Sequence, residues 1–158
     1  GILVAESPTG LLQNMTGDWQ PALIPAADQT YRMAIQSQAS EDRSAQVYLM
    51  SLSSNGVPMS PLRRVTSASW SSTHPELAAL TNGIAIAYQQ NTEFVRLGVF
   101  LVRVGDDGFV DVTATRINGD DADALQPAIA VGEGGALSAW EDNRHGSPEI
   151  YARAVRCQ

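Results

Sequence analysis

The sequence predicts an all-β fold built from repeated four-stranded units. Three observations support this class. Short runs alternate between apolar and polar residues, no window of about 11 residues has helical spacing, and a proline-containing segment recurs three times. The 158 residues, 44% of them apolar, are enough for one globular domain, so residues 1–158 are treated as a single domain.

Each unit begins where a polar residue precedes a proline. These pairs are Gln20-Pro21, His74-Pro75 and Gln126-Pro127, with the prolines 54 and then 52 residues apart. Each proline is followed by an apolar run, a polar turn and a second run typical of a β-strand. A charged loop and a third run, of alternating apolar and polar residues, come next. Glycine turns at 53–56 and 105–108 then lead to a fourth run in the first two units. The repeats span about residues 20–73, 74–125 and 126–158.

Four-stranded units of this length favour the blades of a β-propeller over a sandwich. The third unit ends after its third strand, and residues 1–19 have a strand–turn–strand pattern of their own. We expect these residues either to complete the last blade or to belong to a preceding one. Three blades are fewer than the four to eight of closed propellers. We therefore expect either a homodimer of six blades or a longer chain that holds the missing blades.

The alternating runs also predict which side chains pack between adjacent blades. An apolar residue at every second position of a strand faces a neighbouring sheet. The predicted core residues are Val47, Leu49, Ile84, Ile86, Phe100, Val102, Leu137, Ala139, Trp140, Ile150 and Ala152.

Charge and composition exclude several classes of function. Seventeen acidic residues against ten arginines give a net charge of −7, which argues against nucleic acid and anionic membrane surfaces as partners. No apolar run approaches 18 residues, so no membrane insertion is expected. The first residues have no basic segment or cleavage site and are expected to be those of a mature or trimmed chain. Cys157 is the only cysteine, so it is either an idle thiol or has a partner outside this chain.

The third unit resembles the repeat of bacterial secreted β-propeller proteins. Residues 118–130 read NGDDADALQPAIA, residues 134–140 read GGALSAW and residues 149–155 read EIYARAV. Those repeats consist of a Gly-Asp turn, a Pro-apolar strand, a Gly-Gly turn, an "AW" strand and an "IYA" strand. The resemblance implies an exported bacterial protein, extracellular, periplasmic or on the cell surface. It leaves the function open, and the Asp-box of sialidases is absent.

Propeller geometry would place two classes of loops on one rim, and these loops are acidic. Only Arg43, Arg96 and Arg144 oppose the ten acidic residues there, which are Asp18, Glu41, Asp42, Glu93, Asp120, Asp121, Asp123, Glu141, Asp142 and Glu149. One explanation is that these loops are polar simply because they are exposed to solvent. The alternative is a binding face, because loops on a rigid scaffold are where sites are usually built.

Two acid–arginine clusters stand at similar places in the first and third units. They are Glu41, Asp42 and Arg43, and Glu141, Asp142 and Arg144. Such clusters either fix a hairpin by charge-assisted hydrogen bonds or bind sugar hydroxyls. Trp19 and Trp70, expected in blade-connecting loops, would then stack on a sugar ring. His74 and His145 complete the predicted binding residues.

No cofactor is expected. Asp120, Asp121 and Asp123 offer oxygen ligands for calcium, although a solvated turn explains them as well. The two histidines have no partner at the spacing of a zinc site. We expect a non-catalytic binding or scaffold module with a glycan or protein ligand on the acidic loop face. The alternative is a propeller-type glycoside hydrolase that uses two rim carboxylates, but the sequence selects no pair.

Overall fold

A computed structural model describes residues 16–26, 29–38, 44–67, 69–92, 96–119 and 122–156, without the side chains of 16–19 and 112. The all-β prediction is confirmed, because these residues form strands, turns and bends but no helix. Nowhere in these ranges does a helix long and apolar enough to cross a membrane occur. The expected strands at 2–5 and 11–13, and Cys157, lie outside the described residues.

The strands form three antiparallel sheets, and within each sheet the strands are neighbours in chain order. Sheet 1 contains β1 (Thr16–Pro25), β2 (Tyr31–Gln38), β3 (Gln46–Leu52) and β4 (Arg63–Arg64). Sheet 2 contains β5 (Ser72–Leu80), β6 (Gly83–Asn91), β7 (Leu97–Val104) and β8 (Val110–Arg116). Sheet 3 contains β9 (Ala124–Gly132), β10 (Gly135–Asp142) and β11 (Glu149–Val155).

The same local geometry recurs in sheets 1 and 2. The backbone N–H of Val47 donates to Thr66 Oγ1 at 3.0 Å, and that of Val99 donates to Asn118 Oδ1 at 2.9 Å. The glycine turns match as well, since Gly56 N–H donates to the carbonyl of Ser53 and Gly108 N–H to that of Gly105. Each of these pairs is offset by 52 residues along the chain, which is the spacing of the second and third prolines.

An irregularity recurs in the first strand of every sheet. Gln20, His74 and Gln126 have φ angles of +54°, +53° and +48°, and each directly precedes a proline. The strand pairing shifts register at all three places. A left-handed residue at a register shift is a β-bulge that turns the strand while keeping it in the sheet. The first strands therefore begin before the proline, at Thr16, Ser72 and Ala124.

The three sheets pack side by side through these first strands, with β5 beside both β1 and β9. The core between sheets 1 and 2 includes Val47, Leu49, Ile86, Tyr88 and Val102. The core between sheets 2 and 3 includes Val99, Ile117, Ala124 and Trp140. A third apolar cluster lies on the face of sheet 1 that is turned away from sheet 2.

The predicted core is correct for sheets 1 and 2 but partly wrong for sheet 3. Seven of its residues are buried or pack on the core: Val47, Leu49, Ile84, Ile86, Phe100, Val102 and Trp140. In sheet 3, however, Leu137 is 52% and Ile150 77% exposed, Ala152 is exposed and Ala139 is half-buried. These side chains alternate with Trp140 and so face away from sheet 2, where no described sheet follows.

Two predicted loop positions are also wrong. Trp19 lies in β1 and not in a connecting loop, because the bulge at Gln20 lets the strand continue through it. Glu141 and Asp142 end β10, and Glu149 begins β11, so the loop between them is shorter than expected. Trp70 does lie between β4 and β5.

Candidate functional site

The topology brings two classes of connections to one end of the sheets. These are the β2–β3, β6–β7 and β10–β11 loops, and the segments that lead from β4 to β5 and from β8 to β9. We call this the loop end. It holds Trp70, His74, Glu141, Asp142, Arg144 and His145. Glu41, Asp42, Arg43 and the side chain of Trp19 lie outside the described residues.

Asp142 is the buried centre of the β10–β11 turn, with 1% of its surface exposed. Its Oδ1 accepts hydrogen bonds from the backbone N–H of Arg144 at 2.9 Å and from Arg144 Nε at 3.0 Å. Its Oδ2 accepts from Arg144 Nη2 and, at 3.2 Å, from Trp140 Nε1. These donors favour the charged carboxylate, and the Arg144 side chain foremost lowers the pKa of Asp142 from 3.8 to about 2.

Asp142 holds Arg144 against an aromatic ring, since the guanidinium carbon lies 4.1 Å from the centre of the Tyr151 ring. The Tyr151 hydroxyl donates to Glu149 Oε2 at 2.8 Å and lies 2.9 Å from His145 Nδ1. His145 Nδ1 in turn lies 3.0 Å from the same Glu149 oxygen. We call Asp142, Arg144, His145, Glu149 and Tyr151 the β10–β11 cluster.

The exposed members of the cluster influence one another's ionisation. Hydrogen bonds from Tyr151 and then His145 lower the pKa of Glu149. Desolvation, followed by the hydrogen bond to Glu149, raises the pKa of Tyr151. At neutral pH the cluster thus presents a carboxylate and a neutral phenol to solvent, with the ring of His145 and the guanidinium of Arg144 beside them. Such a mixture of acceptors, donors and an aromatic edge suits recognition of a polar ligand.

His74 belongs to the bulge of β5 rather than to this cluster. Its Nδ1 lies 3.1 Å from Thr73 Oγ1, and burial lowers its pKa below the usual value of 6.5. Its backbone N–H donates to the side-chain oxygen of Gln36 in sheet 1 at 3.2 Å. His74 therefore contributes to the contact between sheets 1 and 2 at the loop end.

The backbone of Trp70 is fixed by a hydrogen bond, and its side chain is partly exposed to solvent. Its carbonyl accepts a hydrogen bond from Gln46 Nε2 at 2.9 Å, and 38% of its surface is exposed. Gln46 is itself buried and accepts from Thr66 Oγ1 at 2.7 Å. An exposed indole on a fixed backbone can stack on a ligand at small entropic cost.

The acidic run before β9 has one described member. Asp123 Oδ1 accepts a hydrogen bond from the backbone N–H of Leu97 at 2.8 Å, which ties the start of β7 to this segment. Asp120 and Asp121 lie outside the described residues. Within the described ranges, no three His, Cys, Asp or Glu side chains stand close enough together to hold a metal ion.

The sequence did not single out Glu149 and Tyr151 as binding residues. The signal was present, because the two residues are separated by one position in a strand and therefore share a face. What the sequence does not give is the register, which sets Glu149 opposite Asp142 and Tyr151 opposite Trp140.

Two larger clefts lie at the opposite end of the sheets. One, of about 470 Å³, is lined by Arg32, Ala79, Ile84 and Asp106 between sheets 1 and 2. Another, of about 250 Å³, is lined by Leu101, Ala136 and Val155 between sheets 2 and 3. None of the residues of the β10–β11 cluster lines either cleft.

No family model and no curated protein matches the chain. The candidate site is therefore defined by the geometry of the described residues.

Proposed function

We propose that the chain is a non-catalytic binding module of an exported bacterial protein, located outside the cytoplasm, with a glycan ligand at the loop end. The β10–β11 cluster is the observation that supports it. A buried carboxylate fixes Arg144 against Tyr151, and the exposed groups of His145 and Glu149 are held beside them. Polar groups held in place before binding lose little entropy when a ligand arrives.

In this proposal the three sheets are blades of a β-propeller. The side-by-side first strands, the bulge in each of them and the hydrogen bonds repeated at a 52-residue offset support that architecture. Loops at one end of such a scaffold form a continuous surface. Trp70 and the β10–β11 cluster would both contribute to it.

A binding role fits the cluster better than hydrolysis does. A glycoside hydrolase needs a carboxylic acid that keeps its proton near neutral pH, and so a raised pKa. The pKa values of Asp142 and Glu149 are both lowered, and the oxygens of Asp142 are occupied by three donor groups. Burial does raise the pKa of Glu76, but that residue lies on β5 and not in the cluster.

A glycan array probed with the wild-type chain tests the proposal. For each glycan that binds, His145→Ala and Tyr151→Phe should weaken binding by about tenfold each, since each removes a polar contact. Val57→Ala is the matched control, because Val57 is 58% exposed in the β3–β4 turn at the opposite end. Binding that the cluster variants leave unchanged would contradict the proposal.

The hydrolase alternative has its own experiment. A panel of chromogenic glycosides should show no turnover with the wild-type chain. Turnover that Asp42→Asn or Asp142→Asn abolishes would reject a binding-only role. A glycan array on which the wild-type chain binds no glycan would reject the glycan as ligand.

A further inference from the structure

The cleft of about 250 Å³ between sheets 2 and 3 has a largely apolar lining. We call it the sheet 2–3 cleft. Leu101 on β7 and Ile117 just after β8 line it from one side, and Ala136 and Val155 line it from sheet 3. Leu101, Ile117 and Val155 also belong to the core between the two sheets. The cleft is therefore an opening at the edge of that core.

Small side chains in sheet 3 explain why there is room for this cleft. The strands β6 and β10 each begin at a glycine with positive φ, and aligning the strands there matches Ala136 with Ile84 and Ser138 with Ile86. Both isoleucines belong to the core between sheets 1 and 2. Alanine and serine fill less space than isoleucine does, so sheet 3 leaves part of the space in front of sheet 2 open.

The charged groups at the sheet 2–3 cleft are basic, although the net charge of the chain is −7. Arg103 on β7 and Arg156 just after β11 line the cleft, and none of its described lining residues is acidic. Arg156 is exposed, and among the residues that the structure describes none forms an ion pair with it. The charge of Arg156 is therefore available to a negatively charged ligand.

Arg103 carries a buried donor that no described residue satisfies. Its Nη2 donates to the carbonyl oxygen of Asn82 at 3.1 Å, but its Nε is buried without a hydrogen-bond partner. Asp111 Oδ2 lies 3.6 Å from this Nε, a distance that suits an ion pair but is too long for a hydrogen bond. Buried N–H groups without an acceptor are rare in folded proteins. An oxygen atom of a ligand in the cleft would supply the acceptor.

The volume of the cleft limits the size of the ligand. An engineered apolar cavity of about 150 Å³ holds benzene, so in proportion 250 Å³ holds an apolar group of up to about ten carbon atoms. Sites for small molecules are typically lined by apolar side chains with a few polar groups that fix the orientation. Guanidinium groups bind carboxylates through paired, charge-assisted hydrogen bonds. These properties together favour a ligand with a medium-length alkyl chain and one carboxylate group.

We propose that the sheet 2–3 cleft binds a medium-chain carboxylate, with the alkyl chain between the two sheets and the carboxylate group at Arg103 and Arg156. Binding would remove the apolar lining and the alkyl chain from water, and the guanidinium groups would stabilise the charge of the ligand. The cleft lies at the end of the sheets opposite the β10–β11 cluster. This site is therefore additional to the proposed glycan site and does not depend on it.

Calorimetric titration of the full chain with octanoate, below the concentration at which it forms micelles, tests the proposal. Octanoate should bind saturably. Acetate, which has the carboxylate but no long chain, and 1-octanol, which has the chain but no charge, should each bind at least about tenfold more weakly. No saturable binding of octanoate would overturn the proposal, as would 1-octanol binding as tightly as octanoate.

Two variants assign the binding to the cleft. Ala136→Ile introduces the side chain that stands at the equivalent position of sheet 2, and should fill part of the cleft and weaken octanoate binding by about tenfold or more. Circular dichroism and cooperative unfolding show whether this variant keeps its fold. Arg156→Gln changes an exposed residue and does not depend on repacking. It should weaken octanoate binding by about tenfold and leave 1-octanol binding unchanged.

Arg64→Gln is the matched control for the loss of charge. Arg64 is exposed on β4 of sheet 1 and does not line the sheet 2–3 cleft, so this variant should keep the wild-type affinity for octanoate. An octanoate affinity that Arg156→Gln or a folded Ala136→Ile chain leaves unchanged would overturn the proposal. An equal loss of affinity in Arg64→Gln and Arg156→Gln would also overturn it, because the net charge alone would then explain the effect.

Discussion

Asp142 organises the β10–β11 turn through four hydrogen bonds that its two carboxylate oxygens accept. Burial alone would raise its pKa, but the Arg144 guanidinium and backbone, together with Trp140, more than offset that effect. Asp142 stays ionised although it is buried, so the hydrogen bonds of the turn depend on its charge. Protonating Asp142 in acid should therefore destabilise the turn.

The stability of the chain should depend on the ionisation of Asp142 in strongly acidic solution. Its folded pKa of about 2 lies below the unfolded value of 3.8, so folding favours the charged form. The resulting stabilisation, about 2 kcal/mol, is fully present above roughly pH 4 and is lost as the pH falls toward 2. Urea unfolding should thus show that the difference in free energy of unfolding between the wild type and Asp142→Asn decreases by about that amount as the pH is lowered from 4 toward 2. A difference in free energy of unfolding that stays constant over this pH range would contradict the assignment.

Trp140 packs between sheets 2 and 3 and should contribute strongly to stability. It is 4% exposed and lies in the core with Val99, Ile117 and Ala124. Trp140→Ala should lower the free energy of unfolding by roughly 3–5 kcal/mol. Trp70→Ala is the control and should cost far less, because Trp70 is 38% exposed. Equal losses in denaturant unfolding would show that the inter-sheet core is assigned wrongly.

At the scale of elements, the hairpins depend on single glycines. Gly135 has a φ of +129°, and a Cβ there would collide with the carbonyl oxygen of Val155 on β11. Gly135→Ala should therefore destabilise the β9–β10 hairpin by roughly 1–3 kcal/mol. Gly134→Ala, one residue earlier with no atom within 4 Å of the added carbon, should change stability little. Thermal unfolding that ranks the two variants in the opposite order would contradict this account of the turn.

The strands were readable from the sequence because their signals are local. Period-two alternation marked the second and third strands of each sheet, and glycine turns at Gly56 and Gly108 marked the hairpins. The starts of the first strands were not readable. They lie before the proline because Gln20, His74 and Gln126 adopt left-handed φ, which glutamine and histidine seldom do. The proline at each of these positions predicted the start of a strand, whereas the bulge allows the strand to begin before the proline and continue past it.

The candidate site was predictable in part. Alternation sets Asp142 on the same face as the buried Trp140, so its inward direction follows from the sequence. The contact of Arg144 with Tyr151 did not follow, because it depends on the register of β10 with β11. The exposure of Leu137 and Ile150 was also unpredictable, since an apolar pattern shows that a face should be covered but not what covers it.

At the scale of the whole molecule, the three described sheets stand in a row whose two ends differ in how far they are covered. On the face of sheet 3 turned away from sheet 2, Leu137 is 52% and Ile150 77% exposed. On the face of sheet 1 turned away from sheet 2, Met33, Ile35 and Tyr48 are only 3–6% exposed. Exposed apolar side chains favour association, because burying them removes apolar surface from water. Sheet 3, and not sheet 1, therefore offers apolar surface for association.

Binding of a glycan at the β10–β11 cluster is the central claim, and calorimetric titration tests it most directly. A glycan identified on the array is titrated into the wild-type chain, into Tyr151→Phe and into the control Val57→Ala, whose position is 58% exposed at the opposite end of the sheets. The account predicts that Tyr151→Phe weakens binding by about tenfold, because it removes one polar contact, and that Val57→Ala leaves the affinity unchanged. Equal affinities of the wild type and Tyr151→Phe would contradict it.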